Sequence, residues 1–181
     1  ITMRFYRECR SPGAILNDEH VEIGIYFKQP NSLSKTLTLT RQWSTQNPPT
    51  LENTPGAFPC LSGDKTVCFQ VGTFSATTEL SRTQNGYTLS WVRYSRQQLT
   101  NVADDPYPDN AVGATFVTNI PGTNQIRNGV NSSPEFVIKD SSLVCAGKDF
   151  TLDYSAFDPD KDSLSYSFCP AFDGGDLLNV N

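Results

Sequence analysis

Three carboxylates alternate in Asp158-Pro159-Asp160-Lys161-Asp162, immediately ahead of the alternating run Ser163-Leu164-Ser165-Tyr166. Hard cations take about six to eight oxygen ligands, and carboxylates on alternate residues of a turn can converge on one ion. Asp158, Asp160 and Asp162 are therefore the candidate ligands, and Ca2+ is the candidate cofactor. The spacing is not that of an EF-hand: Ser163 stands where that loop needs glycine, and Cys169 where it needs a bidentate glutamate. The competing reading is an acidic, solvated turn whose side chains bond only nearby backbone.

A second acidic stretch, Asp104-Asp105-Pro106-Tyr107-Pro108-Asp109-Asn110, is held extended by two prolines. Loops on a rigid scaffold carry many binding residues, which makes Asp104, Asp105, Tyr107 and Asp109 a candidate ligand loop; a solvated connector is the alternative. The parts of a serine or cysteine hydrolase are missing. There is one histidine, His20, and no Gly-x-Ser-x-Gly elbow, and nothing singles out a carboxylate pair for glycoside hydrolysis. Trp43 and Trp91 fall on strand patterns and read as core rather than as sugar-stacking platforms. The expectation is a protein that is not an enzyme.

Five cysteines bear on the compartment. Cys60 and Cys68 flank the turn-rich Leu61-Ser62-Gly63-Asp64, and Cys145 and Cys169 flank a short two-strand segment, so bridges Cys60–Cys68 and Cys145–Cys169 are expected, with Cys9 left over. Buried free thiols are the alternative. Zinc is disfavoured by the absence of C-x-x-C spacing and the lone histidine. Oxidised pairs imply an extracellular or periplasmic setting.

These residues must be positioned by strands. The clearest is Val21 to Phe27, where Val21, Ile23, Ile25 and Phe27 share one face at period two. Further strands are expected at 37–43, 67–73, 87–94, 114–118, 135–138, 150–154 and 163–168, and Ile1 opens in the middle of another alternating pattern. Asn85-Gly86 reads as a tight hairpin turn between strand-like runs, with breaks at 29–31, 46–56 and 104–110. No window combines a helical period with caps. The predicted fold is all-β, a disulfide-stapled β-sandwich rather than a barrel.

A boundary is expected at Asn131-Ser132-Ser133-Pro134, giving a sandwich domain over 1–130 and a partial second unit over 134–181. The second is about half the roughly 100 residues of an immunoglobulin-type sandwich, so it needs strands from downstream or from a neighbouring molecule. The net charge of −5, with dispersed basic residues, disfavours nucleic acid. No apolar run approaches the roughly 20 residues of a membrane span.

The chain resembles a family of large secreted surface proteins of Bacteroidota associated with gliding motility or type IX secretion. The matching stretches are Ile1 to Cys9, Val21 to Phe27, Val67 to Gln70 with Gly72, Asn85 to Trp91, Asn131 to Phe136, Cys145 to Phe150 and Ser155 to Cys169, followed by Gly174-Gly175. The resemblance implies tandem immunoglobulin-like or cadherin-like modules in a long extracellular protein, and a cysteine upstream of the first strand to partner Cys9. After Trp91 the chain departs from the pattern, with Arg93-Tyr94 in place of an adjacent cysteine pair.

These readings converge on a non-enzymatic module of a cell-surface adhesin or extracellular filament. Its expected partners are neighbouring domains or subunits in head-to-tail contact. The alternatives are a module for surface glycans or other ligands, and an accessory domain of a secreted hydrolase.

Overall fold

The computed structural model describes residues 1–8, 19–42, 50–52, 68–93, 113–126, 131–137, 145 and 147–172. Among them there is no helix, and the all-β expectation holds. The strands are β1 (Thr2–Glu8), β2 (His20–Phe27), β3 (Ser32–Arg41), β4 (Thr50–Glu52), β5 (Cys68–Ser75), β6 (Tyr87–Arg93), β7 (Ala114–Ile120), β8 (Glu135–Phe136) and β9 (Ala156–Phe157). Seven form one sheet in the order β1-β5-β3-β2-β6-β7, with β4 added on β5, while β8 and β9 pair separately. The chain divides into two compact units that interleave in sequence: one of 1–21, 39–77 and 132–164, the other of 22–38, 78–131 and 165–181.

In the first unit β1 and β5 pair antiparallel along their whole length, from Thr2↔Ser75 to Glu8↔Phe69. The ladder continues one step further, because the Ile1 ammonium donates to the Ala76 carbonyl at 2.9 Å and the Ala76 N–H to the Ile1 carbonyl at 3.1 Å. Alternation in Met3-Arg4-Phe5-Tyr6-Arg7 puts Met3 and Phe5 on the face of Phe74. The rings of Phe5 and Phe74 meet edge to face at 5.8 Å, the arrangement their quadrupoles favour. Phe74 (1% exposed) and Leu39 (0%) are the most buried apolar side chains of this unit.

The β8–β9 pair also belongs here, but each strand has only two residues. Phe136 and Tyr154 stack edge to face at 6.4 Å while both stay exposed, as do Phe150 and Phe157. The strand expected at 150–154 does not form. Instead Asp153 Oδ1 accepts the Ser155 N–H at 2.8 Å, and that bond, with the Ser155 hydroxyl, holds the Asp153 carboxyl below its ordinary value. A short polar side chain competing for local backbone is what breaks a strand pattern.

The second unit is built on β2, β6 and β7. Phe27↔Tyr87↔Ile120 and Ile25↔Leu89↔Thr118 are successive cross-strand rows on one face. Ile25 is fully buried, with Ile23, Tyr87, Leu89 and Trp91 beside it. Ring pairs Phe27–Tyr87 at 5.3 Å and Trp91–Phe116 at 5.4 Å extend this face, as the alternation of β2 and β6 requires.

The opposite face is buried at its centre as well. Tyr26 folds back over Gly24, and a Cβ on Gly24 would meet the ring at 2.5 Å, so glycine stands in mid-strand to let the ring approach. Ser90, opposite Gly24 in register, is fully buried and its Oγ finds no hydrogen-bond partner. A buried hydroxyl without a partner costs more than the methyl that would replace it. Ser90→Ala is therefore expected to be neutral or to stabilise by about 1 kcal/mol in urea unfolding, whereas an exposed Ser→Ala control should do nothing.

Asn85-Gly86 does not make the two-residue hairpin its sequence suggests, because β5 and β6 are not neighbours in the sheet. Gly86 does take the left-handed conformation, with φ +80°. Its role is to admit the chain after β7: a Cβ there would overlap the Ile120 carbonyl oxygen.

Candidate functional site

The acidic turn is ordered around Asp158, whose carboxylate is nearly buried at 8% exposure. Asp158 Oδ1 accepts the backbone N–H of Asp160 at 2.8 Å and of Asp162 at 3.3 Å, and its carbonyl accepts the Lys161 N–H at 3.1 Å. Lys161 sits at φ +62° to close this turn. Asp160 reaches away to accept the Ser132 N–H through Oδ2. The three alternating carboxylates thus share one loop, with Asp158 Oδ1 and Asp160 Oδ2 committed to backbone donors. Among the described residues no group of three or more His, Cys, Asp or Glu side chains is gathered to hold a metal.

The cysteines depart from the expected framework. Cys68 and Cys145 are each disulfide-bonded, while Cys169 is an exposed free thiol. The Cys145–Cys169 bridge is therefore not formed. It presupposed a compact two-strand segment between the two residues, but 163–168 makes no strand. The chain carrying Cys169 instead follows β7, where the Thr115 N–H donates to the Phe172 carbonyl at 3.2 Å. Cys60, expected on Cys68, and Cys9 lie outside the described residues. Alkylation of the unreduced protein with iodoacetamide is expected to label Cys169 and to leave Cys68 and Cys145 unmodified, as read by peptide mass mapping.

The loop of Asp104, Asp105, Tyr107 and Asp109 also lies outside the described residues, as does Trp43. Trp91 is core, as its strand pattern suggested. His20 is exposed at the start of β2, with Nδ1 3.4 Å from the Thr40 hydroxyl.

One arrangement escaped sequence reading. At one end of the second unit, Lys28 and Gln29 after β2, residues 83–86 before β6 and residues 121–126 after β7 are tied by backbone hydrogen bonds. Lys28 N–H donates to Gly86 O (3.2 Å), Thr123 N–H to Thr83 O (2.9 Å) and Gln125 N–H to Gly122 O (2.9 Å). The Thr83 hydroxyl accepts the Gly86 N–H at 2.9 Å, Gln125 Oε1 accepts the Gly122 N–H at 3.2 Å, and the Tyr87 hydroxyl donates to Ser81 O at 2.7 Å. Gly122 packs so closely on Gln84 that a Cβ would overlap its carbonyl.

This frame holds two clefts. One, of about 320 Å³, is lined by Lys28, Gln29, Asn85, Asn124 and Gln125, with Asn85 Nδ2 donating to Gln29 Oε1 at 3.1 Å. The other, of about 240 Å³, is more apolar, with Leu80, Tyr87, Ile120 and Ile126 beside Arg82. The only sequence signal was a set of turn residues at three distant places. No protein-family model, curated protein or solved structure matches the chain.

Proposed function

We propose that the chain is a non-enzymatic module of an extracellular adhesin or structural filament, an immunoglobulin-like or cadherin-like sandwich stapled by disulfides, whose copies or neighbouring domains meet head to tail. The observation that carries this reading is the set of exposed aromatic side chains on each unit, Phe136, Phe150, Tyr154 and Phe157 on the first and Tyr166 and Phe168 on the second. Phe136, Phe150, Tyr154, Phe157, Tyr166 and Phe168 are all more than half exposed, Phe168 completely. Ser163-Leu164-Ser165-Tyr166-Ser167-Phe168 has the alternation of a half-buried strand and, among the described residues, no strand beside it. Exposed apolar side chains at strand spacing fit a surface completed by another strand.

The outer edge of β7, which among the described residues carries one bridge, Thr115 to Phe172, supports the same reading along the rest of its length. Ala114-Thr115-Phe116-Val117-Thr118-Asn119-Ile120 carries no charge and no proline, the two devices that usually keep an edge from pairing with other chains. Concentration-dependent sedimentation tests the proposal. The protein is expected to self-associate into open-ended oligomers, and Phe136→Ser with Phe168→Ser to remain monomeric with an unchanged far-UV spectrum. A wild-type chain that stays monomeric at every accessible concentration would sink the assembly reading.

A hard cation on Asp158, Asp160 and Asp162 is part of this reading, because the three carboxylates alternate along one turn. Calcium would draw in and neutralise the three alternating carboxylates, and melting in excess EDTA at low ionic strength is then expected several degrees below melting in calcium. Coincident melts would reduce the stretch to an acidic turn.

A further inference from the structure

We propose that the polar cleft at the end of the second unit binds an acidic oligosaccharide, with Lys28 meeting a uronate carboxylate and the amides of Gln29, Asn85, Asn124 and Gln125 meeting ring hydroxyls. The proposal rests on the extracellular, non-enzymatic reading but not on how copies assemble. Its first support is the composition of the lining: among the described residues it has four carboxamides and one ammonium, with no carboxylate and no aliphatic side chain. A carboxamide offers a donor and an acceptor side by side, which matches the paired donor and acceptor capacity of neighbouring hydroxyls.

The second support is charge. In a chain of net charge −5, the described residues give neither Lys28 nor, on the other side of the Asn85-Gly86 turn, Arg82 an ion-pair partner. A cation in a cleft that has no carboxylate among its described residues favours an anionic group. The third support is rigidity. The backbone bonds around Thr83, Gly86 and Gly122, and the Asn85–Gln29 bond, fix the lining before a ligand arrives, which lowers the ordering cost of binding. The cleft is at the small end of the about 300–1,000 Å³ usual for small-ligand sites, as suits one end of a sugar chain. An apolar peptide would find no anchor pocket among these amides, and a nucleic acid would find no aromatic ring among the described lining residues on which to stack a base.

The test is a titration of the 15N-labelled full chain with tetragalacturonate, with a neutral cello-oligosaccharide of equal length and with polyglutamate. Tetragalacturonate is expected to shift the side-chain amide signals of Gln29, Asn85, Asn124 and Gln125, weakening as salt is raised. Lys28→Gln is expected to reduce affinity about tenfold without moving other signals, and Asn124→Leu to abolish binding. Phe136→Ser with Phe168→Ser, which tests assembly, should bind as the wild type does. Absence of shifts, shifts confined to other residues, or an affinity unchanged by Lys28→Gln would overturn the site. Equal binding of the neutral oligosaccharide would overturn the acidic class, and equal binding of polyglutamate would overturn the sugar.

Discussion

Phe74→Ala is expected to destabilise the protein by about 4 kcal/mol. The side chain is 1% exposed, packs edge to face on Phe5 and stands opposite Met3 and Arg41 in the registers of β1 and β3. Truncation removes a whole ring of transfer free energy, and paired strands on either side limit how far the site can collapse. Urea unfolding read by circular dichroism checks it, with Phe74→Leu as a partner that fills most of the space and should recover more than half the loss. If alanine cost less than about 1 kcal/mol, β1, β3 and β5 would not share a core at this residue.

Gly86→Ala is expected to cost about 3 kcal/mol and to act on the second unit. Two penalties add at this one position. The residue sits at φ +80°, where an L side chain is strained, and the new methyl would overlap the Ile120 carbonyl and crowd Pro121 and Gly122. Relief requires separating the 83–86 turn from the 120–126 segment, which breaks the Thr123–Thr83 and Lys28–Gly86 backbone bonds. Amide hydrogen exchange should therefore rise in β6, β7 and residues 120–126 while the β1–β5 ladder stays protected. Uniform loss of protection across both units would show that they unfold together.

The strands with both a strong period and a sheet neighbour were legible in advance. Val21, Ile23 and Ile25 alternate, and the structure buries all three. What alternation does not encode is a partner: 150–154 and 163–168 carry the same pattern as β2, yet they make no ladder and leave their aromatics in solvent. Gly86 was flagged by its turn chemistry, but local sequence cannot say whether the flanking strands are neighbours, and the position serves a contact with residues more than 30 places further on. The cysteine spacing misled for a related reason. Closeness in sequence made Cys145–Cys169 attractive, whereas the chain at Cys169 is directed by the pairing of Phe172 with Thr115. The amide cleft draws Lys28, Asn85 and Asn124 from three connections far apart in sequence, and local turn chemistry says nothing of their meeting.

The approach of Tyr26 to Gly24 has a consequence for how this sequence can drift. Glycine is a poor strand residue, and at position 24 it is retained for a neighbour's ring rather than for its own backbone. The two positions therefore form one heritable unit. A descendant that replaces Tyr26 with a small side chain frees position 24 to become valine or isoleucine, while a change at 24 alone meets the ring and is purged. Among descendants of this chain, Gly24 and Tyr26 should be lost together or kept together.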